Sequence, residues 1–120
     1  MKGLTYWIVP GMMSLKVFGF DNDDRRDEGY IGHIEYIVCK MLRLSVFLVR
    51  GHDRQRELVI ARQFIFYLSR EHTSITLEKI GERFSRHHAT IMHNLRQFQN
   101  LLDTEKETRI TLQRLETKII

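Results

Sequence analysis

The chain has 120 residues, a formal net charge of +4, a pI near 9.5 and one cysteine, Cys39. That length fits one small core with an appendage and excludes a catalytic domain carried beside a separate binding domain. A single thiol excludes an intrachain disulfide and a cysteine-rich zinc site, in keeping with a reducing cytoplasm.

No apolar run approaches the roughly 20 residues that span a bilayer, so no membrane partner is expected. Leu4–Val9 is apolar but short and meets Pro10-Gly11 without a small-residue cleavage pattern, which makes it a poor signal peptide. Tyr6, Trp7, Ile8 and Val9, and again Leu15 to Phe20, favour strands around that turn. Residues 1–30 therefore read as a short β-like appendage, either a hairpin or an edge strand, followed by an acidic connector over Asp21–Glu28. Trp7, Met12 and Met13 are expected to fill packing gaps there.

From about Tyr30 the pattern turns helical. Ile34, Ile37, Val38 and Met41 form an apolar stripe, with Cys39 as a small buried hydrophobe, and Leu44–Val49 makes a shorter element before the polar Arg50-Gly51-His52-Asp53 break. The longest helix runs from about Gln55 to His72 and buries Leu58, Ala61, Ile65 and Leu68, with Phe64 alongside. Thr76 is the expected N-cap of a helix over Leu77–Arg83, and Ser85 that of the next. A final helix is expected over Thr104–Ile119, opened by a Thr104-to-Glu107 capping box and carrying Leu112, Leu115 and Ile119 inward. The fold class is mainly α: a compact six-helix domain over residues 31–120.

Ile80 to Phe98 carries the functional signal, two helices joined by a very short turn. At about 100° per residue, a second helix starting near Arg86 buries Ile91, Leu95, Phe98 and Leu102. The opposite face then holds Arg86, Ala89, Thr90, His93, Arg96 and Gln97. A small residue among basic and hydroxyl side chains suits a DNA major groove, where bulk blocks approach and donors are needed; a solvated face on an ordinary bundle fits the same spacing. Between Gly51 and Arg96 eight Arg and Lys residues face five Asp and Glu, and five of the six histidines fall there, which favours a polyanionic partner.

Three stretches resemble the carboxy-terminal DNA-binding domain of the bacterial replication initiator DnaA. Arg54 to Glu71, with its Arg-x-Arg start, Ala61-Arg62-Gln63 and Tyr67-Leu68, is similar to that family's long basic-then-apolar helix. Leu77-Glu78-Lys79-Ile80-Gly81 and Phe84 resemble its first motif helix, while Arg86, His88, Thr90, His93 and Arg96 fall on its Arg-Asp-His-Thr-Thr-Val-x-His signature. The resemblance implies a monomer that binds a short duplex box, reading the major groove with one helix and the minor groove with an arginine. Carried over, Arg86, His87, His88, Ala89 and Thr90 lie at the major groove. Arg54, with Arg56 beside it, lies at the minor groove. Arg62, Gln63, Arg70, His93 and Arg96 hold the DNA backbone or support the recognition helix.

His87 stands where the family has aspartate, and Ala89 where it usually has a threonine. Aspartate accepts from cytosine N4, whereas Ala89 offers only a methyl contact to thymine, so the preferred box is expected to differ from the family's standard one. The turn looks one residue shorter, with Ser85 alone in place of a glycine pair. No Gly-x-x-x-x-Gly-Lys-Ser/Thr stretch occurs, so neither a nucleotide, a cofactor nor ATPase chemistry is expected. Catalysis has little support. His88 and His93 sit five apart, about 140° around a helix, against the spacing of four in helical zinc motifs, so no metal is expected. A protein–protein adaptor, with a replication protein as partner, is the competing reading.

Overall fold

A computed structural model of the chain describes residues 24–119, so the expectations for the amino-terminal hairpin, Trp7, Met12 and Met13 lie outside the described residues. Six helices follow in order: α1 (Asp24–Leu42), α2 (Val46–Arg50), α3 (Arg56–His72), α4 (Leu77–Arg83), α5 (His88–Thr104) and α6 (Lys106–Ile119). Among the described residues there is no strand. The part of the expected acidic loop from Asp24 onward is instead the first turns of α1.

The amphipathic spacing decides the packing. α3 sits at the centre, against α1, α2, α4 and α5, while α6 closes the bundle against α1 and α5. Ile31, Ile34 and Val38 of α1, Leu58, Ile65, Phe66 and Leu68 of α3, and Ile80, Ile91 and Leu115 meet in one core, all fully or almost fully buried. Burying such a side chain is worth about 1.5–3 kcal/mol. Phe64 meets Phe98 edge-on at 4.8 Å and Phe66 meets Phe84 at 5.1 Å, which pins α3 to α5 and to the end of α4. Cys39 is buried, as expected, and burial pushes its thiol up to about 11.

Local chemistry terminates the helices. α1 ends with Arg43 in the left-handed region (φ 60°), where Leu44 N–H donates to Cys39 O and Arg43 N–H to Lys40 O, the paired bonds of a Schellman cap. Thr76 caps α4 by accepting from Lys79 N–H, as its position predicts. The Thr104-to-Glu107 box does not form. Thr104 belongs to α5 and donates back to Asn100 O, a use of the hydroxyl that competes with capping; α6 starts only at Lys106.

Beneath this surface Glu35 of α1, 2% exposed, accepts two bonds from Arg50 of α2 (2.9 and 2.7 Å) and two from Arg83 of α4 (3.3 and 2.9 Å). Burial alone would raise its carboxyl pKa. The hydrogen bonds and charges of Arg50 and Arg83 together outweigh that and hold it below the ordinary value. One carboxylate thus fixes the carboxy-terminal ends of two separate helices to α1.

Candidate nucleic-acid interface

The turn between α4 and α5 is built by a second Schellman cap. Ser85 takes the left-handed conformation (φ 55°), Arg86 N–H donates to Gly81 O at 2.7 Å, and Ser85 N–H donates to Glu82 O at 3.2 Å. Ser85 therefore closes α4 and does not cap α5, which corrects the expectation. Gly81 is required here because a Cβ at that position would run into the carbonyl oxygen of Arg86.

His87 caps α5. Its Nδ1 accepts from Ala89 N–H at 3.2 Å, so this imidazole substitutes for the oxygen acceptors usual at an N-cap. With Nδ1 occupied as an acceptor, the ring proton of the neutral form sits on Nε2, a donor that the cap does not consume. The His88 ring lies against it, centroids 4.4 Å apart. His88, Ala89 and Thr90 follow on the first turn of α5 and are all exposed, while Ile91, Leu95, Phe98 and Leu102 are buried, the face that the 3.6-residue period predicts.

Arg86 is held back from this tip. Its Nη1 donates to Phe84 O at 2.8 Å and its Nη2 to Gly51 O at 2.6 Å. Burial, with the nearby Arg62 charge, depresses its pKa, yet a guanidinium stays charged. The bond to Gly51 brings the α2–α3 loop alongside the helix-turn-helix, and that loop carries Arg54, exposed, two residues before the equally exposed Arg56. Asp53 Oδ1 accepts from Gln55 N–H at 2.9 Å, an Asx turn that bends the chain around Arg54.

The remaining expected residues divide. Arg62 and Gln63 are buried, 5% and 3% exposed, and their donors are engaged within the protein. Arg62 donates to Val49 O (2.7 Å) and Leu48 O (3.3 Å) and so holds the end of α2. Gln63 donates to Gln97 Oε1 (3.2 Å) and Asn94 Oδ1 (3.5 Å), bracing α5 from behind. Arg70, His93 and Arg96 are exposed. Arg70 lies over the Tyr67 ring at 5.9 Å and shares a shallow groove with Met92, Arg96 and Gln99.

Sequence reasoning missed Glu35, Asp53 and the structural demand on Gly81. Asp53 had a local signal, an Asp two residues before the N-cap position Gln55. Glu35 had none, since its two partners lie 15 and 48 residues away.

A short helix, a tight turn and a longer helix with a buried back and an exposed leading turn define a helix-turn-helix protein. Residues 31–97 match the family described as the bacterial dnaA protein helix-turn-helix. Among similar proteins, the chromosomal replication initiator protein DnaA of Oleidesulfovibrio alaskensis is 37% identical over 68 residues, 57% of this chain and 15% of that protein. The initiator of Gloeothece citriformis is 33% identical over 84 residues (69% and 18%), and that of Latilactobacillus sakei 36% over 77 (63% and 17%). The chain belongs to the bacterial DnaA helix-turn-helix family, and the matched stretches span less than a fifth of the length of these three relatives. Among the described residues no helix is long and apolar enough to cross a membrane.

Proposed function

We propose that the protein binds duplex DNA sequence-specifically, as a monomer, in the control of replication initiation or of transcription, by occupying sites and not by hydrolysing nucleotide. The leading turn of α5 enters the major groove, with His87 Nε2, His88, Ala89 and Thr90 toward base edges. Arg54, with Arg56 as its neighbour, enters the adjoining minor groove. Arg70, His93 and Arg96 supply phosphate contacts, which fix register without carrying sequence information. The binding unit is taken as residues 31–120, continuous with the earlier turns of α1 from Asp24.

The observation that carries this reading is the pairing of two exposed groups. The His88-Ala89-Thr90 turn stands free of the core, and the Arg54 loop is bonded through Gly51 to Arg86 in the α4–α5 turn just before it. Selection of bound duplexes from a random library, followed by a salt titration on the winner, tests it. The expected result is one enriched box, with affinity falling steeply as salt rises because bound cations are released from the phosphates. No enrichment, or binding indifferent to salt, refutes it.

A second reading, a protein–protein adaptor on the same fold, is favoured by one feature. Phe47 and Leu48 on α2 are 83% and 47% exposed. Under that reading, Phe47→Ser abolishes partner capture and leaves duplex affinity alone.

A further inference from the structure

Arg86 faces away from the tip that its place in the signature suggested. Three of its groups are engaged within the protein. Its main-chain N–H closes the α4 cap on Gly81, Nη1 holds Phe84 O at the end of α4, and Nη2 holds Gly51 O at the start of the loop that carries Arg54. These are charge-assisted bonds to carbonyls, among the stronger and more directional contacts available to a side chain. The planar fork also fixes the spacing of the two oxygens it spans, which a lysine ammonium on a flexible stem does not.

The rest of the loop is anchored around that bond. Arg62 grips Val49 O and Leu48 O just upstream, and the Asp53 turn bends the chain just downstream. Below, Glu35 ties Arg50, the residue before Gly51, to Arg83 of α4. Two parallel ties therefore join the same two pieces of chain, one under the surface through Glu35 and one at the surface through Arg86. Of these, only the Arg86 tie reaches the turn that launches α5. The buried Arg62 stands close enough for its charge to oppose that of the half-buried Arg86, a cost the carbonyls offset.

We infer that Arg86 is a positioning residue that couples the two reading elements, setting the separation between the Arg54 loop and the leading turn of α5 through its bridge from Phe84 O to Gly51 O. This rests on the DNA reading proposed above. A protein that reads two grooves at once gains specificity from both only if their spacing is fixed before binding, because a loose loop must be ordered at the expense of affinity. Arg86 supplies that order from inside the protein, with no contact to a base.

The test uses the full chain and the duplex selected from the random library, with Arg54→Ala, Arg86→Lys and the double variant. The base pairs whose preference Arg54→Ala erases are assigned to the minor groove. Arg86→Lys keeps the charge, so binding to random duplex and its salt slope stay as in the wild type. Discrimination falls by about three- to thirtyfold, inside the wider range of coupling between residues in one network, at the minor-groove pairs as well as at the major-groove pairs. At the minor-groove pairs the double variant loses no more than Arg54→Ala alone.

In the free protein, Arg86→Lys moves the 13C resonance of the Gly51 carbonyl while the circular dichroism of the helices is unchanged. Arg86→Gln, which keeps one amide donor, serves if the lysine variant unfolds. Losses confined to the major-groove pairs, or losses that multiply in the double variant, overturn the coupling and make Arg86 a direct reader. A wild-type chain that selects no duplex overturns the DNA reading itself and the coupling with it.

Discussion

Glu35→Gln is the sharpest test of how the interface is held in place. The wild-type carboxylate is 2% exposed and accepts four hydrogen bonds from two guanidiniums. Glutamine removes the charge, keeps one acceptor oxygen, and turns an NH2 group toward two cations. Breaking a buried ion pair on one side costs about 3–5 kcal/mol. Arg50 is 46% exposed and its freed head can rehydrate, whereas Arg83 is 22% exposed and less able to, so the low end applies, about 3 kcal/mol. With a urea m-value of about 1.5 kcal/mol/M, the unfolding midpoint falls by about 2 M at neutral pH with m unchanged.

The pH dependence has a definite sign. The folded-state pKa of Glu35 lies below its unfolded value, so its contribution is fully present above the ordinary glutamate range and is lost as pH falls through the folded pKa. The gap between wild type and Glu35→Gln is therefore constant from pH 6 to 8 and closes in acid. Equal midpoints at pH 7, or a gap that persists unchanged into acid, would refute the assignment of Glu35 as the tie between α1, α2 and α4.

The other predictions concern single positions. Arg54→Ala and Thr90→Ala each weaken binding to the selected duplex by about 1–3 kcal/mol, and equal losses on random duplex would remove their reading role. Arg70→Ala lowers affinity for all sequences and flattens the plot of log affinity against log salt by about one unit, as loss of a phosphate contact requires. Gly81→Ala forces a Cβ onto the Arg86 carbonyl and destabilises by about 1–3 kcal/mol in urea melts, whereas a neutral result would mean that the turn can open there. Ser85→Gly relieves a left-handed serine and raises stability by about 0.5–1 kcal/mol, since the side-chain penalty in that region exceeds the entropy that glycine loses.

Periodicity in the sequence was enough for the helices, because a helix that buries one face must repeat apolar residues near every 3.6 positions. Leu58, Ala61, Ile65 and Leu68 on α3, and Ile91, Leu95, Phe98 and Leu102 on α5, are such series, and all eight are buried. Capping was legible where it is local and unopposed, as at Thr76, and illegible where side chains compete for several roles. Ser85 and Thr104 both looked like N-caps. One became the left-handed stop of the preceding helix and the other bonded backward within it, while a histidine, not an oxygen side chain, took the cap of α5.

The residue types at the interface were written in the chain, but their division of labour was not. Arg62 and Arg86 carry the same guanidinium as Arg54, Arg70 and Arg96, and Gln63 is a polar amide with donors of its own. Only the folded backbone decides that Arg62, Gln63 and Arg86 spend their donors on Val49, Gln97, Phe84 and Gly51 inside the protein while the others remain exposed. Hydrophobic spacing is a property of neighbours along the chain, so sequence alone determined the helices, the inward faces and the helix-turn-helix. A guanidinium's partner is whichever carbonyl the tertiary fold brings within about 3 Å, here up to 35 residues distant, and no local pattern encodes that distance.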